Sequence, residues 1–225
     1  MTGSESSKAR RLALAFLAPT ARALASAGVS ANAVTGGSLV AGAAAGVCLA
    51  GGYFVAGAAL ATVASLGDAV DGLVARETQT ASPGGALFDA SVDRYEELFV
   101  LGGLAFYFRA EASGAVLVTA LFAILGSFMV SYGSAKAEAL RVPVPGGIMR
   151  RTERAVLTCA GLALVPVAGL FVRGLGLPPW VEHAPVIVAL AVLAVASNAS
   201  AVMRLRAVAR AANRAQSQSP KAGDG

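Results

Sequence analysis

Four aspartates stand at helical spacing in a stretch of sequence that is otherwise apolar enough to lie in a bilayer. Asp68 and Asp71 are three residues apart and Asp89 and Asp93 are four apart, so each pair shares one face of a helix. An ionised group at the centre of a membrane helix costs about 2.5 to 3.5 kcal/mol on insertion scales, and neighbouring carboxylates also repel one another. Two divalent cations would compensate the four charges, and oxygen-only ligands suit Mg²⁺ or Mn²⁺ rather than zinc. The spacing therefore predicts a two-metal site, and the alternative is a set of polar residues that line a water-filled cavity or ion path.

The aspartates belong to a longer pattern, DxxDGxxARx(8)GxxxDxxxD, which runs from Asp68 to Asp93. It matches the signature of the CDP-alcohol phosphotransferase family at every fixed position, and the chain therefore resembles that family. The resemblance implies a donor such as CDP-diacylglycerol, a small alcohol as the acceptor, and CMP as the released product. It also implies that Asp68, Asp71 and Asp89 hold the two metals. Asp93 would complete the second metal site and act as general base on the acceptor hydroxyl.

The same resemblance implies a binding site for the CDP-lipid. Small residues leave room for the cytidine, and one arginine would neutralise a diphosphate oxygen. A segment before the first span resembles the start of that span in the family and supplies one amide side chain. These residues are Asn32, Gly72, Ala75, Arg76 and Gly85.

Composition predicts an all-α integral membrane protein. The 225 residues are 56% hydrophobic and 14% charged, with a mean hydropathy of +0.67, which excludes an ordinary soluble domain. Six transmembrane helices are predicted, each close to the ~20 residues that a bilayer requires. They lie at 33–50, 54–76, 86–108, 114–138, 154–172 and 184–204.

The flanking segments complete a predicted organisation of three parts. Residues 1–32 form an N-terminal juxtamembrane segment, in which basic and apolar residues from Lys8 to Ala27 predict an amphipathic helix in the membrane interface. A secretory signal peptide is the alternative interpretation of that stretch. Residues 33–210 form the catalytic domain, and residues 211–225 form a polar tail that is predicted to be disordered.

The distribution of basic residues predicts the topology. The formal net charge is +5, but Lys and Arg gather beside the apolar spans without interleaved aromatics, so we expect membrane lipids and no nucleic acid as partners. The positive-inside rule predicts a multi-pass protein of the cell membrane, plasma or inner, with both termini and the active site in the cytoplasm. Cys48 and Cys159 lie in apolar sequence and give no disulfide signal. The family resemblance implies a homodimer.

A second group of polar residues is a candidate acceptor site. Ser131 and Lys136 close the fourth span, and Gly147 to Arg154 resembles the G-x-x-E-R-x-E-R element of the family's phosphatidylinositol-phosphate synthases. The resemblance implies that Arg151 and Arg154 hold the phosphate of inositol phosphate.

The candidate acceptor site departs from that subgroup at two positions. Arg150 stands in place of an acid, and Ser134 stands where a second basic residue is expected. Arg204 and Arg206, at the end of the sixth span, could supply a replacement cation from another helix. The acceptor could also be glycerol 3-phosphate, which needs the same charges in a smaller pocket.

Two functions other than transfer remain open from the sequence. A metal-ion transporter could use the same aspartates, but the spans beyond them are apolar and no polar path continues to the outer face. A noncatalytic membrane scaffold would leave the four carboxylates unexplained.

Overall fold

The protein is mainly helical. The computed structural model describes residues 3–111, 113–143 and 147–218. The side chains of residues 3–13, 179 and 215–218 are not described. The α-helices are α1 Gly3–Ser26, α2 Ala31–Ala50, α3 Phe54–Glu77, α4 Pro83–Ala110, α5 Gly114–Ala139, α6 Arg151–Leu175 and α7 Ala184–Gln218, and a 3₁₀ helix, Pro179–His183, precedes α7. The prediction of an all-α integral membrane protein is confirmed.

Five segments of the described chain are long and apolar enough to cross a membrane, namely α2, α3, α5, α6 and Trp180–Arg214, which contains most of α7. The helix α4 has 28 residues, which at 1.5 Å per residue exceeds the thickness of the hydrocarbon core. Its first 15 residues, however, carry Asp89, Asp93 and three further charged residues. Apolar composition therefore does not identify α4 as a span, and the count of six spans stays a prediction.

The two ends of the chain are more helical than the sequence predicts. The first helix begins at Gly3 rather than at Lys8. The last helix continues to Gln218, so the prediction of a disordered tail is wrong for residues 211–218. Ala211 and Ala212 are strong helix formers, and they pack against a core cluster of Ala137, Val142 and Val208. The first two residues and residues 219–225 of the predicted tail lie outside the described chain.

The chain divides into two compact units, Met1–Gly103 and Leu104–Gly225. In the first unit, α2 and α3 form an antiparallel pair that turns at Gly51 and Gly52, and Gly52 has a φ of 79°. Gly57 of α3 faces Leu49, and a Cβ on Gly67 would lie 2.7 Å from Cβ of Ser38. These glycines bring the two helix backbones together over the length of the pair. The first helix packs on α3, where Ala21 joins Val70 and Val74 in a core cluster.

The middle of α4 packs against α2 as closely as α3 does. A Cβ on Gly42 would lie 2.9 Å from Cγ of Glu96, and one on Gly46 would lie 2.5 Å from the carbonyl oxygen of Phe99. Glycine at these positions therefore allows α2 to contact α3 and α4 at once. The two helices that carry the aspartates are thus both held by the glycine-rich α2.

In the second unit, α7 packs against α5 and α6. Asn198 of α7 donates from Nδ2 to the carbonyl oxygen of Phe122 on α5 at 2.8 Å and to that of Ala194 in its own helix at 2.7 Å. Gly126 makes room for this amide, because a Cβ there would lie 2.6 Å from Nδ2. At the other end of the unit, the hydroxyl of Tyr107 lies 3.1 Å from Nε2 of His183.

We expect Gly46→Ala to destabilise the protein and Gly37→Ala, on the same helix, to leave it intact. The new methyl at position 46 overlaps the Phe99 carbonyl, whereas a Cβ on Gly37 meets nothing within 4 Å. Forcing a methyl into a filled space costs about 1 to 3 kcal/mol. Thermal unfolding in detergent, followed by circular dichroism, should show a lower Tm for Gly46→Ala alone. Equal Tm values for the two variants would contradict the close contact of α2 with α4.

Candidate metal and substrate site

Three of the four predicted metal ligands come together in the first unit. Asp68 and Asp71 lie on α3 and Asp89 lies on α4, and one carboxylate oxygen from each lies within 4.8 Å of the other two. Spacings of three residues along α3 place Asp68 and Asp71 on the same face, as predicted. The third carboxylate is supplied by the neighbouring helix in the same unit.

The burial of these carboxylates indicates what they are suited to bind. Asp71 is only 4% exposed, and Oδ1 of Asp89 is buried with no hydrogen-bond partner among the described residues. Clustered acidic groups that are withdrawn from water need a positive counter-charge. A set of oxygen donors alone fits Mg²⁺ or Mn²⁺. The residues present therefore fit a divalent metal centre.

The fourth aspartate, Asp93, is not one of the three clustered carboxylates. It lies one turn further along α4 than Asp89 and is 8% exposed. Its Oδ2 lies 3.4 Å from Nη1 of Arg94, and the same Nη1 donates to the carbonyl oxygen of Ala90. This ion pair was not predicted, because adjacent residues on a helix do not normally face each other. Asp93 thus lies outside the three-carboxylate cluster and contacts Arg94.

A second contact that the sequence did not reveal is made by Thr35 of α2. Its Oγ1 donates to Oδ2 of Asp71 at 2.6 Å, across 36 positions of the chain. Thr35 is 2% exposed. A lone threonine in a glycine- and alanine-rich helix carries no signal of such a role, since its partner is defined only by the packing of α2 on α3.

Open space lies beside Gly72, one of the small residues near the end of α3. A Cβ on Gly72 would meet only Nη2 of Arg76, at 3.8 Å. Arg76 is exposed and Ala75 is half-buried. The guanidinium therefore lies over the surface of Gly72, one turn from Asp71, where it is available to an anionic ligand.

The two remaining predicted lipid-site residues lie beside each other. A Cβ on Gly85 would lie 3.7 Å from Oδ1 of Asn32 and 3.2 Å from Oγ of Ser82. The amide of Gly85 donates to Oγ of Ser82 at 3.1 Å. Asn32 is exposed in the first turn of α2, so the start of α2 and the start of α4 together present polar groups.

The predicted acceptor residues all belong to the second unit. Lys136 is exposed and Ser131 is half-buried on α5, whereas Arg151 and Arg154 begin α6. Arg154 is 2% exposed and its Nη1 lies 3.5 Å from the carbonyl oxygen of Met149. The burial of Arg154 distinguishes it from Lys136, which lies at the surface of the unit.

Arg204 of α7 lies at the centre of this basic group. It is 7% exposed, and its Nη1 donates to Oγ of Ser134, the position at which a basic residue was expected. A Cβ on Gly147 would lie 2.6 Å from Nη2 of Arg204, so the segment before α6 closes over the guanidinium. Arg150 and Arg154 act on it as like charges.

Arg204 and Arg206, both predicted as a source of the replacement cation, differ in their environment. Arg206 is exposed and lies about 200° around the helix from Arg204, at 100° per residue. Of the two arginines, Arg204 is therefore the one that contacts Ser134. Nε of Arg204 is buried and has no hydrogen-bond partner among the described residues. The buried guanidinium therefore has an N–H group that is available to donate to a ligand.

Comparison with known proteins identifies the class to which this site belongs. The family model of the CDP-alcohol phosphatidyltransferases matches residues 28–196. The chain belongs to this family. The matched region contains the aspartate cluster, the predicted lipid-site residues and the basic residues of α5 and α6.

Among curated relatives, a phosphatidylinositol phosphate synthase of Cutibacterium acnes is 33% identical over 196 residues, which cover 86% of this chain and 92% of that protein. One from Mycolicibacterium smegmatis is 36% identical over 147 residues, 64% of this chain and 60% of the relative. An uncharacterized Aquifex aeolicus protein is 31% identical over 118 residues, 52% of this chain and 60% of its own length. The match thus spans about three fifths of the latter two relatives.

Solved structures give a similar result. The crystal structure of Mycobacterium tuberculosis phosphatidylinositol phosphate synthase with CDP-DAG bound aligns with a TM-score of 0.74 and 28% identity, covering 85% of this chain and 92% of that one. The same enzyme in complex with manganese and citrate aligns with a TM-score of 0.72 and 28% identity, covering 85% and 88%. The predicted family resemblance is therefore confirmed for both sequence and fold.

We expect metal-stripped protein to bind Mn²⁺ and Asp89→Asn to bind it at least tenfold more weakly. Removing one of three clustered carboxylates removes both a ligand and a compensating charge. Loss of the free Mn²⁺ signal in electron paramagnetic resonance measures the bound fraction. Glu77→Gln is the matched control, because Glu77 is an exposed carboxylate at the end of α3 and its loss should change nothing. Equal affinity in Asp89→Asn and wild type would contradict the metal centre.

Proposed function

We propose that this membrane protein is a phospholipid-synthesising transferase that moves a phosphatidyl group from CDP-diacylglycerol to a small alcohol and releases CMP. The observation that carries the proposal is the buried cluster of Asp68, Asp71 and Asp89, set within the family signature. Family membership favours transfer over the transporter and scaffold alternatives. The related Mycobacterium tuberculosis enzyme, whose structures were solved with CDP-DAG and with manganese, supports the same donor and metal.

The donor half of the reaction uses the first unit. Two divalent metals, Mg²⁺ or Mn²⁺, would screen the diphosphate and stabilise the leaving CMP. Asp68, Asp71 and Asp89 hold them. Arg76 neutralises a diphosphate oxygen, and the open surface at Gly72 admits the nucleotide.

Asp93 takes the proton of the attacking hydroxyl and also completes the second metal site. Its separation from the three clustered carboxylates supports a role that differs from theirs. Its Oδ2 lies 3.4 Å from Nη1 of Arg94, and a carboxylate is a side chain that can take a proton as a general base. The proton therefore moves from the acceptor oxygen to Asp93 as the new phosphoester bond forms.

The basic group of the second unit binds a phosphate on the acceptor. Arg150 and Arg154 act on Arg204 as like charges, and Arg154 and Arg204 are almost fully buried. Buried cations of one sign are costly unless an anion lies between them. A phosphate monoester satisfies this need through charge-assisted hydrogen bonds. Lys136, Arg151 and Ser131 add donors around it.

We infer that the acceptor is inositol phosphate, with glycerol 3-phosphate as the alternative. Relatives named phosphatidylinositol phosphate synthases support the first. Both acceptors carry a phosphate that the same basic group would bind. Only direct competition between the two acceptors therefore distinguishes them. The proposal extends to topology: residues 33–210 form a catalytic domain of six spans in the cell membrane, with both termini and the active site in the cytoplasm, assembled as a homodimer.

The reaction is tested by supplying purified protein with CDP-diacylglycerol and Mn²⁺ and following CMP release with each acceptor in turn. We expect inositol phosphate to outperform free inositol and, in direct competition, glycerol 3-phosphate. Excess EDTA should stop release. Preferential use of an acceptor without a phosphate, such as inositol or serine, would refute the proposal that the basic group binds an acceptor phosphate.

Asp93→Asn should abolish CMP release and largely retain binding of the CDP-lipid, because the three clustered carboxylates remain. Turnover is measured as above, and lipid binding is measured by isothermal titration with Mn²⁺ present. Glu97→Gln, one turn further along α4, controls for the loss of a carboxylate. If Asp93→Asn turned over near the wild-type rate, the base would have to be another residue.

Arg204→Gln should raise the KM for inositol phosphate about 10- to 100-fold, since a hydrogen bond to a charged group is worth about 1.5 to 3 kcal/mol. The affinity for CDP-diacylglycerol should barely change. Arg154→Gln should behave in the same way. Arg206→Gln is the matched control on α7, because Arg206 is exposed. An equal increase in KM in that variant would indicate an effect of general surface charge and not of a specific phosphate-binding group.

A further inference from the structure

The hydroxyl of Thr35 joins the helix α2 to a carboxylate that is proposed to bind metal. Oγ1 of Thr35 lies 2.6 Å from Oδ2 of Asp71, and the two residues are 2% and 4% exposed. Neither side chain can exchange this contact freely for water. A hydrogen bond of 2.5 to 2.7 Å is typical of a hydroxyl that donates to an ionised oxygen.

The same hydroxyl has a second acceptor, the carbonyl oxygen of Ala31, at 3.0 Å. A threonine hydroxyl carries one hydrogen, so the two acceptors compete for it. The carboxylate contact is shorter and charged and therefore takes the hydrogen. The Ala31 contact lies one helical turn back and selects the side-chain rotamer that directs Oγ1 towards α3.

The close approach of α2 to α3 beside Thr35 depends on a glycine that lies one turn before Asp71. A Cβ on Gly67 would lie 2.7 Å from Cβ of Ser38, and Ser38 itself donates to the carbonyl oxygen of Thr35 at 2.8 Å. The antiparallel pair thus places position 67 opposite 38 and position 71 opposite 35. Because α2 and α3 meet so closely before the first aspartate, a short side chain such as threonine reaches Asp71 directly.

We propose that Thr35 is a positioning residue of the metal centre, which fixes the Asp71 carboxylate so that it ligates through one oxygen and thereby favours Mg²⁺ and Mn²⁺ over Ca²⁺. This inference rests on the proposed role of Asp71 as a metal ligand. The hydrogen bond occupies a lone pair of Oδ2 and restrains rotation of the carboxylate about its own axis. Chelation of one ion by both oxygens of Asp71 is then disfavoured.

The choice of ion follows from the coordination that each ion prefers. Ca²⁺ takes six to eight oxygens at 2.3 to 2.6 Å and often binds carboxylates in bidentate fashion, whereas Mg²⁺ requires a near-ideal octahedron at 2.0 to 2.1 Å. A carboxylate held by a hydrogen bond suits the smaller and more demanding ion. Loss of a hydrogen-bonding partner behind a metal ligand typically costs about 10- to 100-fold in metal affinity or activity.

The test measures metal binding without turnover. Full-length protein in detergent is stripped of metal and titrated with Mn²⁺ under electron paramagnetic resonance, and Ca²⁺ then competes for the site. Thr35→Val keeps the shape and the branched Cβ but removes the hydroxyl, whereas Thr35→Ser keeps the hydroxyl. Thr62→Val is the matched control, because Oγ1 of Thr62 donates only within α3, to the carbonyl oxygen of Ala58 at 2.8 Å.

We expect Thr35→Val to lower Mn²⁺ affinity about 10- to 100-fold and Ca²⁺ affinity by less, so that the preference for Mn²⁺ narrows. Thr35→Ser and Thr62→Val should match the wild type. If Thr35→Val bound Mn²⁺ within about twofold of the wild-type affinity, the proposal would be overturned. A change that small is well below the effect that loss of a hydrogen-bonding partner behind a metal ligand typically has. An equal fall for both ions would overturn it too, since a merely structural defect acts on both alike.

Asp71→Asn separates this proposal from the metal assignment on which it rests. If Asp71→Asn loses Mn²⁺ binding and Thr35→Val does not, the ligand assignment stands and the positioning role of Thr35 is wrong. If Asp71→Asn binds Mn²⁺ as well as wild type, the ligand assignment is wrong and the role of Thr35 falls with it. A folded Thr35→Ser that binds as weakly as Thr35→Val would contradict the positioning role, because the retained hydroxyl would then fail to restore binding.

Discussion

Carboxylates can be buried among apolar helices only where those helices approach closely enough for the charges to share a counter-ion. In the first unit the glycines of α2 and α3 provide this closeness. Gly67 admits Ser38 at van der Waals range and Gly46 admits the backbone of Phe99, so α2 contacts both helices that carry the aspartates. The charged cluster and the glycine-rich packing are therefore two aspects of one arrangement, and larger residues on α2 would move the ligands apart.

The second unit meets the opposite electrostatic requirement with similar means. Its buried arginines are surrounded by small residues, with Gly133 and Gly147 against Arg204. Small residues allow the long guanidinium side chain to lie between helices rather than to extend into water. Among the described residues, the almost fully buried charged side chains are thus carboxylates in the first unit and arginines in the second.

The sequence predicted what depends on periodicity and on short-range spacing, and it missed what depends on contacts between helices. The pairing of Asp68 with Asp71 followed from three-residue spacing, and the helices lie close to the predicted spans. The bond from Thr35 to Asp71 and the choice of Arg204 over Arg206 required the packing of α2 on α3 and of α7 on α5. The helical continuation to Gln218 was missed because polar composition was taken for disorder, whereas Ala211 and Ala212 have a core to pack against.

The amide of Asn198 determines the register between two helices of the second unit. Both of its hydrogens are used, one by α5 and one by α7, and in hydrocarbon no water could replace either acceptor. The pairs Gly126 with Asn198 and Gly133 with Arg204 follow one another in the same direction along α5 and α7. A slip of α7 by one residue would shift Arg204 by 1.5 Å and turn it by 100°, away from Ser134. The half-buried amide of Asn198 therefore sets the position of the Arg204 guanidinium, which lies almost two turns away along α7.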